Sequence, residues 1–190
     1  MSKKPAVFLD RDGVLIHDVD FLSDLKQLEF FKDVPFGLKK LKQAGFLLIM
    51  ITNQSGVARG YFTEEFVHET YKNMNLYLSA QGASLDGFYY CPHHVDGKDP
   101  YNIKCDCRKP KPGMINKALN DYEIDIKNSY MIGDRFSDIN LAHKAKLKGI
   151  LMSTVFGKSD RDKVLTKFKE TKEVISFKEA VDYILNNNQI

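Results

Sequence analysis

The sequence has little of several things that define whole classes of protein. Among its 190 residues are three cysteines, an odd number, all between positions 91 and 107. An odd local cluster does not build a disulfide framework, so these thiols need another role. Long hydrophobic runs are missing as well. The longest purely apolar stretch, Phe46 to Ile51, covers six residues, far short of the ~20 a membrane span needs. The first residues, Met1-Ser2-Lys3-Lys4-Pro5, lead straight into a strand-like run and offer no signal-peptide core. Twelve glycines and six prolines are too few for a fibrous or low-complexity chain. Neither charge is in large excess: Lys plus Arg is 28 against 25 Asp plus Glu, a formal net charge of +3. That balance argues against a strongly basic nucleic-acid binder and against an acidic tail. The expectation is one cytosolic domain over residues 1–190, a monomer with a small-molecule substrate and no nucleic-acid or membrane partner.

Apolar runs alternate with amphipathic stretches along the whole chain. Ala6-Val7-Phe8-Leu9 and Phe46 to Ile51 are continuous hydrophobic runs, as expected of strands buried on both faces. Gly87 to Tyr90, Tyr130 to Ile132, Gly149 to Met152 and Val174-Ile175 are further strand candidates. Helical spacing predicts helices over Val34 to Ala44, from Thr63 to about Ala80, near Pro112 to Leu119, near Ser137 to Ala145, and over Lys178 to Leu185. The lysine-rich segment from Lys158 to Lys172 suits the solvated face of one more helix. Strand and helix alternating in this way imply an α/β fold, a Rossmann-like parallel sheet with helices on both faces. Cys91 to Pro112 breaks the pattern. It lacks periodicity, and so long a stretch inside a compact domain needs something to hold it.

Chemistry in such sheets gathers at the carboxyl ends of the strands. The first strand runs into Asp10-Arg11-Asp12-Gly13. Two carboxylates one residue apart can face the same crevice, and their repulsion calls for a cation or a shared proton. A hard divalent ion with oxygen ligands, most simply magnesium, meets that need. Taken alone, Asp-x-Asp-Gly suits a solvated turn equally well. The second strand ends in Thr52-Asn53-Gln54-Ser55, hydroxyls and amides able to donate hydrogen bonds to an anion. A later strand ends in Gly133-Asp134-Arg135, with Asp138 on the first turn of the following helix, where a carboxylate also suits the dipole. Arg108 and Lys109 precede a Pro-Lys-Pro-Gly turn and could grip phosphate oxygens.

Together these motifs, in this order at successive strand ends, resemble the haloacid dehalogenase-like phosphohydrolases over about residues 6–152. The resemblance implies Asp10 as nucleophile, Asp12 as general acid and base, and Thr52 and Lys109 as stabilisers of the transferring phosphoryl group. It also implies magnesium held by Asp10, the carbonyl of Asp12, and Asp134. Asp18, Asn53, Gln54, Ser55, Arg108 and Arg135 are the candidate substrate contacts. A GxxxxGK[ST] loop is absent, which argues against a nucleotide-driven kinase. The stretch between Asp12 and Thr52 is too short for an inserted cap domain beside the helix already assigned there, so the site is expected to be open and uncapped.

Cys91, Cys105 and Cys107 with one histidine make a three-thiolate, one-imidazole set suited to tetrahedral zinc. Spacing leaves His93 and His94 open as the fourth ligand; resemblance favours His93. With four protein ligands the zinc is expected to be structural, folding the 91–107 loop and setting Arg108 and Lys109. The Cys-Pro-His-His…Cys-Asp-Cys-Arg-Lys-Pro loop is similar to the branch of that family acting on heptose bisphosphate or histidinol phosphate. Thr52 to Gly60 is similar to the heptose members. Arg135, where those usually carry Lys, and Asp20-Phe21, where they carry Gly-Tyr, depart from them. The expected activity is hydrolysis of a sugar bisphosphate at one end, with histidinol phosphate as the alternative substrate. A zinc-stabilised binding module without catalysis is the alternative of another class, and the intact Asp10, Asp12, Thr52, Lys109 and Asp134 weigh against it.

Overall fold

The computed structural model describes residues 3–153 and 158–188. Six strands form one parallel sheet: β1 (Ala6–Leu9), β2 (Leu47–Asn53), β3 (Gly87–Cys91), β4 (Tyr130–Gly133), β5 (Lys148–Met152) and β6 (Lys172–Val174). Their order across the sheet is β3-β2-β1-β4-β5-β6. The chain therefore builds outward from β1 to one edge, then returns to the other side of β1 and builds to the opposite edge. A crevice opens beyond the strand ends where that order reverses, between β1 and β4. In register, Leu9 lies beside Met50 on one side and Ile132 on the other. This brings Asp10, Thr52 and Gly133-Asp134 to the same end of the sheet.

Successive strand residues face opposite sides, and each side has its own core. Val7 and Leu9 join Leu48, Met50 and Ile132 against α1 (Val34–Gln43), α3 (Glu64–Ser79) and α7 (Phe177–Asn186). Ala6 and Phe8 join Ile49, Ile51 and Met131 against α4 (Gly113–Asp121) and α5 (Phe136–Lys144). All four residues of β1 are fully buried, which is why its sequence reads as a continuous apolar run rather than an alternation.

Three short elements went unread in the sequence, one of them the 3-10 turn Ile126–Asn128 before β4. A four-residue helix, α2 (Gly56–Arg59), follows β2 and is closed by Gly60 in the left-handed region at φ 76°. A 3-10 turn, Leu25–Gln27, carries an Asp24 capping box. The last strand and helix sit one to two residues from their predicted bounds. The lysine-rich segment forms α6 (Lys158–Lys167), which packs Val164 against Ile139 and Leu151; the Lys158 side chain lies outside the described residues. Between Cys91 and Gly113 no regular element forms, as the composition predicts. No helix among the described residues is long and apolar enough to cross a membrane.

Candidate active site

Lys109 organises the crevice. Its ammonium lies 2.8 Å from Asp10 Oδ1 and 2.7 Å from Asp138 Oδ1, and it donates to the Ile51 carbonyl at 3.1 Å. The residue is almost wholly buried, and its two carboxylate neighbours hold the ammonium firmly protonated against the burial that opposes it. Lys109 arrives from an irregular loop, so something must fix its backbone. Asn53 does so from the end of β2: its Oδ1 accepts the Lys109 N–H at 3.0 Å and its Nδ2 donates to the Lys109 carbonyl at 3.3 Å.

Asp10, Asp134 and Asp138 converge, with one oxygen from each lying within 4.8 Å of the others. Asp10 Oδ1 also accepts the Arg11 N–H at 2.7 Å. Asp138 Oδ2 accepts the Arg135 N–H at 3.0 Å, capping α5. Asp134 differs from both: its two carboxylate oxygens are buried with no hydrogen-bond partner among the described residues. Three buried carboxylates face one lysine, with Arg135 4.0 Å from Asp134. Burial, reinforced by Asp10 and Asp138, pushes the Asp134 carboxyl up to about 9. Burial likewise lifts Asp10 to about 6, against the pull of Lys109. An orphaned carboxylate beside two others is the donor set a hard divalent cation requires, and such an ion would replace the protons the cluster otherwise retains.

Two glycines make this approach possible. Gly13 sits at φ +75°, and a Cβ there would meet Asp134 Oδ2 at 2.4 Å. A Cβ on Gly133 would lie 2.1 Å from the Asp138 Cβ. Any side chain at either position would displace a carboxylate of the cluster.

A cavity of about 200 Å3 opens over these groups. Asp10, Asp12, Asp18, Thr52, Asn53, Gln54, Ser55, Lys109 and Arg135 all line it, so most of the predicted site residues are brought together. Asp12 is held by the Arg11 guanidinium at 2.9 Å and by Gln54 Nε2 at 3.1 Å. Gln54 Nε2 also donates to Thr52 Oγ1 at 2.8 Å. The amides of Asn53 and Gln54 are thus engaged within the protein, orienting Lys109, Asp12 and Thr52. Arg135 bridges to the buried Asp18 at 2.9 Å. Arg108 does not line the cavity; its guanidinium donates to the His93 carbonyl at 3.3 Å and faces the cysteine cluster. Sequence reasoning assigned no role to Arg11 or Ser137, and left Asp138 outside the ligand set. The order of motifs gave a place for Asp138 but no sign that Lys109 would reach it.

The second cluster lies in the loop after β3. Cys91, His93, Cys105 and Cys107 present ligand atoms within 4.8 Å of one another. Sγ of Cys107 lies 2.9 Å from that of Cys91 and 3.2 Å from His93 Nδ1. His94 turns away, with its Nδ1 accepting the Asp96 N–H at 3.2 Å, so geometry places His93 in the set. A hydrogen bond with Cys91 and the neighbouring His93 draw the Cys107 thiol down to about 5, against burial, while Cys91 is pushed up by the hydrogen bond with Cys107 and by burial. Three sulfurs and an imidazole nitrogen that find chiefly each other suit a thiophilic ion closed to solvent.

A parallel sheet with a lysine-anchored carboxylate cluster at its switch point defines a haloacid dehalogenase-like hydrolase. The HAD-hydrolase-like family model matches residues 106–180. The D-glycero-beta-D-manno-heptose-1,7-bisphosphate 7-phosphatase of Pasteurella multocida is 44% identical over 149 residues, covering 78% of this chain and 81% of its own. That of Escherichia coli K12 is 42% identical over 144 residues, 75% of each chain. Among solved structures, the D,D-heptose 1,7-bisphosphate phosphatase of B. bronchiseptica, complexed with magnesium and phosphate, superposes with a TM-score of 0.82 at 27% identity, covering 97% of this chain and 99% of its own. The chain belongs to the family of these D-glycero-beta-D-manno-heptose-1,7-bisphosphate 7-phosphatases.

Proposed function

We propose that the protein is a magnesium-dependent phosphatase that removes the 7-phosphate of D-glycero-D-manno-heptose 1,7-bisphosphate, working as a single-domain cytoplasmic monomer. The observation that carries this reading is the orphaned Asp134 carboxylate beside Asp10 in a buried cluster anchored by Lys109. Asp10, Asp134 and the main-chain carbonyl of Asp12 would hold the magnesium, which supplies charge compensation for the phosphoryl group.

Lys109 and the Arg11 N–H both engage Asp10 Oδ1, which leaves Oδ2 to attack phosphorus. As the Oδ2–P bond forms, the bond to the sugar oxygen breaks, and Asp12 gives that oxygen its proton. Asp12 then takes a proton from water as the water attacks the aspartyl-phosphate, releasing inorganic phosphate and restoring Asp10. Gln54 and Arg11 keep Asp12 turned toward the reacting oxygen. Thr52 and Lys109 stabilise the equatorial oxygens. The cysteine cluster, as a zinc site, would close the loop that delivers Lys109.

The test is Asp10→Asn, assayed with magnesium for phosphate release from the heptose bisphosphate and from histidinol phosphate. The wild type is expected to prefer the heptose substrate, and the variant to fold yet lose turnover by at least about 10³-fold, the scale at which removing a nucleophile acts. Retained turnover would overturn the nucleophile assignment, and a wild-type preference for histidinol phosphate would overturn the substrate.

A further inference from the structure

The lysine-rich end of α6 meets a second group of lysines at the end of the sheet away from the carboxylate cluster. Asp10 and Asp134 stand beyond the carboxyl ends of their strands, whereas Lys148 and Lys172 begin β5 and β6 at the amino ends. A cavity of about 680 Å3 opens there, between the last turns of α5 and α6 and the starts of β5 and β6. That volume is in the range of small-molecule sites. Residues 143–148 and 167–172 carry six lysines against one glutamate, so the remainder of a chain of net charge +3 is net acidic.

Lys146, Lys148, Lys167 and Lys169 line the cavity, and the single carboxylate among the lining residues, Glu170, is exposed. Among the described residues the lysines paired with carboxylates are Lys42, Lys109, Lys111 and Lys178, none of this group. Aromatic rings position several of them instead. The Lys148 ammonium lies 4.9 Å from the ring centre of Tyr130, that of Lys167 5.4 Å from Phe168, and that of Lys172 5.5 Å from Tyr183. A ring face orders an ammonium without cancelling its charge. Lys167 ends α6 and suits the helix dipole there, but Lys146, Lys148 and Lys169 lie beyond the helix ends.

Lys146 carries a second signal. It sits at φ 59°, where its N–H donates to the His143 carbonyl at 3.2 Å and the next N–H, of Leu147, to the Ala142 carbonyl at 2.9 Å. This is the helix ending whose left-handed position glycine usually fills. A lysine there is disfavoured relative to glycine, and a residue held in such a conformation points to a use for its side chain.

We propose that this cavity is a second ligand site and binds a nucleoside di- or triphosphate. Lys146, Lys148, Lys167 and Lys169 receive the phosphates, and His143 and Tyr183, whose flat rings also line the cavity, receive the base. A single mononucleotide fits the volume, while the net acidic surface elsewhere opposes a nucleic-acid strand laid across the molecule.

The experiment is calorimetric titration of the full chain, without added magnesium, with ATP, inorganic tripolyphosphate and a single-stranded RNA oligonucleotide. One ATP per chain is expected. Tripolyphosphate, lacking a base to stack, should bind about tenfold more weakly. Lys169→Gln should weaken ATP binding about fivefold, the worth of one exposed charge contact. Lys146→Gly should weaken it about as much, while the unfolding midpoint of the ligand-free protein stays level or rises because glycine suits that position. A lowered midpoint would overturn the assignment of Lys146 as a residue kept for the ligand. The site itself would be overturned by no saturable ATP binding up to about 1 mM, by wild-type affinity in both variants, or by tripolyphosphate or RNA binding as tightly as ATP.

Discussion

The two candidate metal centres are built in opposite ways. The carboxylate cluster takes Asp10 and Asp134 from the ends of adjacent strands and Asp138 from the first turn of α5. Its members are fixed by sheet hydrogen bonds, by an N-cap and by a buried lysine, so its geometry exists before any ion arrives. The cysteine cluster takes Cys91 from the end of β3 and its other three members from the irregular stretch that follows. Its groups contact chiefly one another, and only Cys91 is anchored in a strand. The first centre is held by the fold whether or not an ion is bound. The second would be held together by an ion. Preorganised charge belongs where a reaction stabilises a transition state, and ion-dependent order belongs where a loop must be folded.

Lys109 joins the two centres, and its loss gives the largest effect. Lys109→Met would leave Asp10 and Asp138 buried without their counter-charge, and breaking such a pair by removing one partner costs about 3–5 kcal/mol. Turnover of the heptose bisphosphate should fall by about 10³-fold, the scale of a lost electrostatic stabiliser. The strand-end cluster should lean harder on magnesium, so the unfolding midpoint should rise more on adding magnesium than it does for wild type. An equal rise in both proteins would show that Lys109 does not compensate the cluster.

The second prediction breaks the other centre. Cys107→Ser removes a ligand two residues before Lys109 and should reduce the zinc content of the purified protein, read by elemental analysis, from about one per chain to well below that. Misplacing a positioned group by about 1 Å costs on the order of 10²-fold, so kcat/KM should fall by that order. The sheet is untouched, and far-ultraviolet circular dichroism should remain that of wild type. Loss of zinc with full activity would separate the two centres.

The same contrast explains what could be read from the sequence. The strands were legible because a buried parallel strand leaves a run such as Ala6 to Leu9, and the acid pairs because they stand at the ends of such runs. The cysteine set was legible because its members are close in sequence. The contacts that couple distant segments were not. That Asn53 clamps the Lys109 backbone and Arg11 holds Asp12 depends on how β2 meets a loop more than fifty residues away, and on which way one arginine turns. Arg108 and Lys109 are neighbours in a basic pair, yet one faces the cysteines and the other the carboxylates. Adjacent residues of one charge carry no mark of which way each will point. The helix α2 escaped notice because four residues are too few to show a period.

The smallest effect concerns protons and magnesium at the strand-end cluster, and its sign follows from the shifted carboxyls. In the ion-free protein Asp134 is raised to about 9 and Asp10 to about 6, above the ordinary carboxylate value of about 4 in the unfolded chain. Between those values the folded state binds more protons than the unfolded state, so these two groups make stability fall as pH rises. Magnesium acts on the same carboxylates and needs them ionised, so it must displace their protons at low pH and meets fewer of them at high pH. At ten times its dissociation constant, a bound ion adds about 1.4 kcal/mol. At a fixed magnesium concentration that increment should therefore grow from pH 6 to pH 8.5. Unfolding midpoints with and without magnesium at the two pH values measure it, and the difference cancels groups remote from the ion. Replacing Asp134 by Asn should reduce the pH dependence of the increment, leaving the part that Asp10 contributes. An increment larger at pH 6 than at pH 8.5 would mean that the ion binds somewhere other than these carboxylates.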